Sequence, residues 1–116
     1  MAHFHDVIAE LREPTRELRK AIPEAWAGFA ALHEQALAPG HVPAHLKELV
    51  ALAIAVAKEC DGCIAYHARG AATKGASREE LVEVLAVALL MDGGPASVYG
   101  PRALVAFDEF APPAAQ

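Results

Sequence analysis

Residues 44–74 read AHLKELVALAIAVAKECDGCIAYHARGAATK, and this stretch decides the fold. Its first half is apolar on every side from Leu49 to Ala57 and rich in alanine, which has the highest helix propensity. Its second half starts with Cys60-Asp61-Gly62 and keeps a helical composition to Lys74. The stretch therefore predicts two consecutive helices, Ala44–Lys58 and Cys60–Lys74, which run antiparallel if the chain reverses between them.

Proline, glycine and capping residues divide the rest of the chain in the same way. Pro23 and Pro43 suit the beginning of a helix, and Ser77 with Glu80 forms a capping box. Pro14 either kinks the first helix or begins a second short one. No segment alternates with the period of a strand. The predicted fold is all-α with about six helices, the other four being Phe4–Lys20, Pro23–Leu37, Ser77–Met91 and Pro95–Phe110.

Length, charge and hydropathy limit the function classes. A chain of 116 residues suits a single domain, 1–116, with a flexible tail at 111–116. The net charge of −5 argues against a nucleic-acid partner. The basic residues of the first helix (Arg12, Arg16, Arg19, Lys20) alternate with Glu13 and Glu17, which indicates a solvated helix face.

The chain shows neither a secretory signal nor an apolar run long enough to cross a bilayer, which takes about 20 residues. We therefore expect a cytoplasmic protein with no membrane partner. Because cytoplasmic thiols are kept reduced, a close cysteine pair there is more often catalytic or metal-binding than structural.

The apolar run Leu49–Ala57 also predicts association. A helix that is hydrophobic all round is buried, and a domain of six short helices has little material to surround it. We expect a homo-oligomer that covers the remaining side.

The residues with reactive chemistry are Cys60, Cys63, His67 and Glu48. Cys60, Cys63 and His67 are spaced i, i+3 and i+7, so they share one face of a helix, and the cysteines are near enough to form a disulfide. At about 1.5 Å per residue, Glu48 and His67 lie at nearly the same level on antiparallel helices. A carboxylate–imidazole contact is therefore feasible.

These residue types suit thiol redox chemistry. A helix N-terminus favours the thiolate, which is the reactive form of cysteine. A histidine one turn along can accept the thiol proton, and a carboxylate can hold that histidine in the required tautomer. The second cysteine can then resolve an oxidised first one as a disulfide.

Other interpretations remain open at this point. The two cysteines alone could be small buried hydrophobic residues. Together with His67 and Glu48 they could bind zinc, although structural zinc sites usually contain more sulfur and two separated ligand pairs. A non-catalytic metal-binding or scaffold module is the alternative to an enzyme. We favour the redox enzyme, with no cofactor and no metal.

Three motifs carry a family resemblance: ELVxLA from Glu48, CxxCxxxH from Cys60 and GASxEE from Gly75. Together they resemble the alkylhydroperoxidase AhpD-like branch of the carboxymuconolactone decarboxylase superfamily. The resemblance implies an all-α fold, trimers or hexamers, and a thiol peroxidase that reduces organic hydroperoxides or peroxynitrite. It implies that Cys63 attacks, that Cys60 is its disulfide partner and that Glu48 and His67 form the proton relay.

The resemblance also implies an external dithiol or protein reductant, in the family a dihydrolipoyl adaptor protein. The best-known peroxidases of the family carry a histidine between the two cysteines, where this chain has Gly62. Decarboxylation of a lactone, the reaction of the other branch, is the alternative activity; that branch is not expected to need a Cys-x-x-Cys pair.

Overall fold

The computed structural model describes residues 2–112, which form six α-helices and no strand. The predicted all-α fold is confirmed, and every helix boundary lies within one residue of its predicted position. The predicted tail, 111–116, lies largely outside the described residues. The helices are α1 (His3–Ala21), α2 (Pro23–Leu37), α3 (Ala44–Ala57), α4 (Asp61–Thr73), α5 (Arg78–Asp92) and α6 (Gly94–Phe110).

Pro14 lies inside α1, which continues to Ala21. Of the two interpretations of this proline, the one with a second short helix is therefore wrong. Pro14 is exposed, so the carbonyl that loses its helical N–H partner can bind water instead.

The turn between α4 and α5 has the predicted chemistry. Gly75 has φ of +90°, a conformation that favours glycine. Ser77 Oγ accepts a hydrogen bond from the backbone N–H of Glu80 at 3.0 Å, and the Ser77 N–H donates to the Glu80 side chain at 2.8 Å. This capping box ends the turn and starts α5.

The core forms where α3, α4 and α6 meet, with α1 and α5 packed around them. Three fully buried alanines on α4, Ala65, Ala68 and Ala71, let neighbouring helices approach closely. Leucine, isoleucine and phenylalanine side chains from the other helices fill the space around them. The backbone of α2 comes close only to those of α1 and α3 within residues 2–112, and α2 has no buried residue.

One side of α3 remains uncovered within the chain. Val50 and Ile54 are 55% and 52% exposed, and they border an apolar groove of about 480 Å³ between α3 and α5. Val87 and Met91 form its other wall. We call this surface the α3–α5 groove. Within residues 2–112, no helix is long and apolar enough to cross a membrane.

Candidate dithiol active site

The two cysteines lie at the beginning of α4. Cys60 is the residue that caps this helix, and its Sγ accepts a hydrogen bond from the backbone N–H of Cys63 at 3.2 Å. The two sulfur atoms are joined in a disulfide, with the Cα atoms 5.2 Å apart. The predicted pairing of these cysteines is therefore present in the structure.

The two sulfur-bearing residues differ in exposure. Cys63 is exposed, whereas Cys60 is partly buried. The Cys60 sulfur also lies where the N–H groups of the first helical turn and the helix dipole favour negative charge. An incoming thiolate can therefore reach Cys63, and Cys60 is suited to leave as a thiolate.

The carboxylate of Glu48 is held between two donors, His67 on α4 and Lys74 directly after this helix. Glu48 itself is 4% exposed, and within residues 2–112 it is the one charged residue among the buried ones. His67 Nδ1 lies 2.8 Å from Glu48 Oε1, and Lys74 Nζ donates to Glu48 Oε2 at 2.8 Å. The carboxylate–imidazole contact between Glu48 and His67, which the sequence made feasible, is present. Lys74 is a further donor to the same carboxylate.

The charge state of Glu48 decides which nitrogen of His67 carries the proton. Burial raises the pKa of Glu48, but hydrogen bonds and charges from Lys74 and His67 lower it by more, so its pKa lies below the ordinary value. An ionised carboxylate can only accept hydrogen bonds, so Nδ1 of His67 must be the donor. In the neutral imidazole, Nε2 is then the nitrogen that can accept a proton.

Gly70 provides the space for this carboxylate. A Cβ atom at Gly70 would collide with the carboxylate of Glu48. His67, Gly70 and Lys74 follow one another at spacings of three and four, which places them on one face at the end of α4. The carboxylate thus lies over Gly70, and its two donors come from His67 before this glycine and Lys74 after it.

A second imidazole lies beside the relay. The ring of His33, on α2, stacks on that of His67 with centroids 5.9 Å apart and an interplanar angle of 23°. His33 is exposed, and α2 holds few other contacts with the body of the protein. This contact places α2 next to His67.

A second carboxylate adjoins the disulfide. Asp61, the first residue of α4, accepts hydrogen bonds from Arg102 at 2.7 and 3.0 Å and lies 2.7 Å from His3 Nε2. The Arg102 hydrogen bond is the main reason that the pKa of Asp61 is below its ordinary value. The guanidinium offsets a negative charge that would otherwise oppose a thiolate next to it.

The predicted residues therefore form two contacting pairs on adjacent turns. Cys60 pairs with Cys63, and Glu48 pairs with His67. Among residues 2–112, no hydrogen bond joins His67 to either sulfur. Lys74 and Gly70 were not among the predicted site residues, although both continue the three-and-four spacing of Cys60, Cys63 and His67.

The four residues considered as zinc ligands do not assemble into a metal site. Both oxygens of Glu48 already accept from protein donors. Within residues 2–112, no group of three or more His, Cys, Asp or Glu side chains is arranged to hold a metal ion.

Fold and site together define a class: an all-helical dithiol protein in which a buried carboxylate on one helix contacts an imidazole on the helix that begins at the cysteine pair. The sequence profile of the carboxymuconolactone decarboxylase family matches residues 23–106. The chain belongs to this family, and the resemblance to its AhpD-like superfamily is confirmed.

Two solved structures are similar to this one. A carboxymuconolactone decarboxylase family protein of Legionella pneumophila is 38% identical with a TM-score of 0.93, covering 97% of this chain and 100% of that one. A family member from Thermotoga maritima, whose name connects it with an antioxidative response, is 30% identical with a TM-score of 0.73, covering 86% and 88%.

Two curated proteins are also similar to this chain. An uncharacterised protein of Cupriavidus necator is 40% identical over 101 residues, 87% of this chain and 89% of that protein. Uncharacterised protein 4 in the cox locus of Paracoccus denitrificans is 36% identical over 81 residues, 70% of this chain and 73% of that protein.

Proposed function

We propose that this protein is a thiol-dependent peroxidase or disulfide oxidoreductase that reduces hydroperoxides through Cys60 and Cys63. One observation carries the proposal. The Cys60–Cys63 disulfide has an exposed member, and the same helix carries His67, whose tautomer is set by the buried carboxylate of Glu48. The name of the Thermotoga maritima relative agrees with antioxidant chemistry.

In the oxidative half of the proposed reaction, Cys63 is the nucleophile. Nε2 of His67 accepts the proton of the Cys63 thiol, and the thiolate attacks a hydroperoxide oxygen. A sulfur–oxygen bond forms, the oxygen–oxygen bond breaks, and the alkoxide leaves as an alcohol with the proton from His67. The thiol of Cys60 then attacks the sulfenic acid, so that the disulfide forms and water leaves.

In the reductive half, an external dithiol returns two electrons. Its first thiolate attacks the sulfur of Cys63, the more exposed residue of the pair, and Cys60 leaves as a thiolate, which its position at the helix N-terminus favours. The second thiol of the reductant attacks the mixed disulfide at the reductant's own sulfur and releases Cys63. The reductant departs as a disulfide.

Lys74 has a supporting role in this proposal. The ammonium balances the charge of Glu48, so the buried carboxylate stays ionised and continues to accept from His67. Without a cation, burial would favour protonation of Glu48 and the loss of its hold on the imidazole.

The direct test is stopped-flow oxidation of the reduced protein by cumene hydroperoxide. We expect Cys63→Ser to abolish the reaction, and Cys60→Ser to consume one equivalent and then stop at the sulfenic acid. A Cys63→Ser variant as fast as the wild type would refute the assignment. Retained decarboxylation of a lactone after both cysteines are changed to alanine would support the decarboxylase alternative instead.

We also propose that copies of the chain associate through the α3–α5 groove in the cytoplasm, as trimers or hexamers. The groove is apolar on both walls, and the large apolar side chains of Val50, Ile54, Val87 and Met91 are each more than half exposed there, as is typical of association sites. Light scattering at micromolar concentration tests this. We expect Val87→Glu, on the groove wall, to give monomers, whereas Val105→Glu on the exposed side of α6 should not.

A further inference from the structure

A cleft rich in arginine lies between α1 and α4. It has a volume of about 330 Å³ and is formed by four arginines around Ile8, Thr15 and Tyr66. We call it the arginine cleft. Three of its arginines come from α1 and one from α4: Arg12, Arg16, Arg19 and Arg69.

The positive charge of this cleft is largely unneutralised. Among residues 2–112, only Arg16 of the four has a carboxylate within ion-pair distance, Glu13 at 3.4 Å, and both of these side chains are at least half exposed. No acidic side chain lines the cleft in this part of the chain. Such a concentration of positive charge stands out in a protein with a net charge of −5.

The walls of the arginine cleft are held in place by packing. The guanidinium of Arg69 lies over the ring of Tyr66, 5.4 Å from its centroid, and Tyr66 packs against the hydrophobic core. Ile8 is buried and supplies an apolar surface in the cleft. The charge pattern of α1 alone predicted a solvated helix face. In the structure, the arginines of this face form a cleft together with residues of α4.

The α4 side of the cleft begins one helical turn after Cys63, which is an exposed residue. Tyr66 follows Cys63 by three residues, one turn along α4, and Arg69 follows it by six, roughly 9 Å along the helix axis. We infer that the arginine cleft binds a carboxylate group carried by the dithiol or hydroperoxide that reacts at Cys63. This inference rests on the proposed function and names the chemical class of its reaction partner.

A carboxylate is the group that this cleft suits. Guanidinium groups bind carboxylates through paired, planar hydrogen bonds, and the apolar floor can hold the hydrocarbon chain between the carboxylate and the reacting group. Because Arg69 lies roughly 9 Å beyond Cys63 along the helix axis, a ligand that reaches both must carry its charge several bonds from its reactive end.

The reductive arm of the test compares two dithiols that differ only in charge, dihydrolipoate and dihydrolipoamide. We expect the wild type to be reduced faster by the carboxylate than by the amide, an advantage that falls about tenfold in Arg12→Gln/Arg69→Gln. Lys20→Gln removes a charge from the same helix outside the cleft and should keep the advantage. The reduction by dihydrolipoamide should remain the same in all three proteins.

The oxidative arm uses cumene hydroperoxide and its para-carboxylate derivative in the same three proteins. A charge advantage in this arm alone identifies the hydroperoxide as the carboxylate-bearing partner, and an advantage in the reductive arm alone identifies the reductant. Equal rates for the charged and neutral reagents in both arms would overturn the inference.

A binding measurement decides the case in which none of the four reagents, charged or neutral, reacts, an outcome that contradicts the proposed function. NMR titration with 4-isopropylbenzoate should shift the Nε–H signals of Arg12 and Arg69, whereas 4-isopropylbenzamide should not. Unshifted arginine signals at millimolar carboxylate would overturn the inference independently of any thiol chemistry.

Discussion

Asp61 and Glu48 have the same kinds of partners in two different surroundings. Asp61 binds Arg102 and lies 2.7 Å from His3, and Glu48 binds Lys74 and lies 2.8 Å from His67. Each carboxylate therefore has one permanent cation and one imidazole. The carboxylate side chain of Asp61 is 34% exposed, whereas that of Glu48 is 5% exposed.

This difference in burial separates what the two groups can do. Water screens the charges around Asp61, so the cluster contributes little energy and chiefly connects the beginnings of α1 and α4 to the middle of α6. Around Glu48 the screening is weak, so its two partners decide its charge and orientation. The same inventory of groups thus gives a surface ion cluster at one end of α4 and a directed hydrogen-bond relay at the other.

The largest expected effect is the difference in reaction rate between two variants that each remove the charge of one carboxylate, Glu48→Gln and Asp61→Asn. In Glu48→Gln the amide oxygen should turn to Lys74, so the amide N–H faces His67 and imposes the wrong tautomer. We expect oxidation by cumene hydroperoxide to slow by about 10²–10³-fold. Asp61→Asn should stay within about threefold of the wild type. Equal losses of oxidation rate in the two variants would contradict the different roles assigned to Glu48 and Asp61.

Adding one methyl group to α4 at two positions should sharpen the comparison. Gly70→Ala places a Cβ atom against the Glu48 carboxylate, and we expect a loss of about 1–3 kcal/mol in the free energy of unfolding. At Gly62 a Cβ would meet only Leu11 Cδ1, at an ordinary 3.4 Å. Gly62→Ala should therefore be neutral or stabilise by up to about 1 kcal/mol. Urea unfolding of both variants measures this.

Replacing Lys74, the cation that binds Glu48, should change how the free energy of unfolding depends on pH. Folding lowers the pKa of Glu48, so its ionised form stabilises the fold above the ordinary pKa and this contribution is lost as the pH falls through the lowered value. Lys74→Met should cost about 1–2 kcal/mol at pH 7, less than a fully buried pair because Lys74 is 36% exposed.

The cost of Lys74→Met should shrink below about pH 5, where Glu48 of the variant can be protonated. Lys20→Met is the control on an exposed lysine, and its difference from the wild type in the free energy of unfolding should not shrink at low pH. Urea unfolding measures both variants. A difference in the free energy of unfolding between Lys74→Met and the wild type that stays constant from pH 7 to pH 3 would contradict the assigned ion pair.

The smallest effect should come from the exposed cluster. Arg102→Gln leaves Asp61 uncompensated beside the cysteines, and the negative charge opposes the thiolate. We expect the alkylation of the reduced protein by iodoacetamide at pH 7 to slow by about two- to threefold. The slowing should disappear at 1 M salt, and a slowing that persists there would show that Arg102 acts through packing.

Much of the fold was predictable from local chemistry. The end of α4 and the beginning of α5 follow from Gly75, Ser77 and Glu80, whose preferences depend on the backbone of a few neighbouring residues. The level of Glu48 against His67 was also predictable, because helical rise is constant and the turn between α3 and α4 is short.

The remaining features of the site depend on contacts between distant segments. Nothing local indicates that His33 stacks on His67, because α2 is joined to the rest of the chain by flanking turns and few contacts. The arginine cleft likewise needs α1 and α4 side by side. The apolar run Leu49–Ala57 was predicted to keep one side that a single chain does not cover, but only the packing of the helices shows that Val50 and Ile54 lie on that side.

The sequence by itself determined the helices, the cysteine spacing and the family of this protein, because helix propensity, capping and periodicity act over a few residues. Tertiary structure alone decided that Glu48 is buried between His67 and Lys74 while Asp61 stays in reach of water. The physical reason is that burial and screening depend on which helices pack together, and this packing sets the strength of every charge in the site.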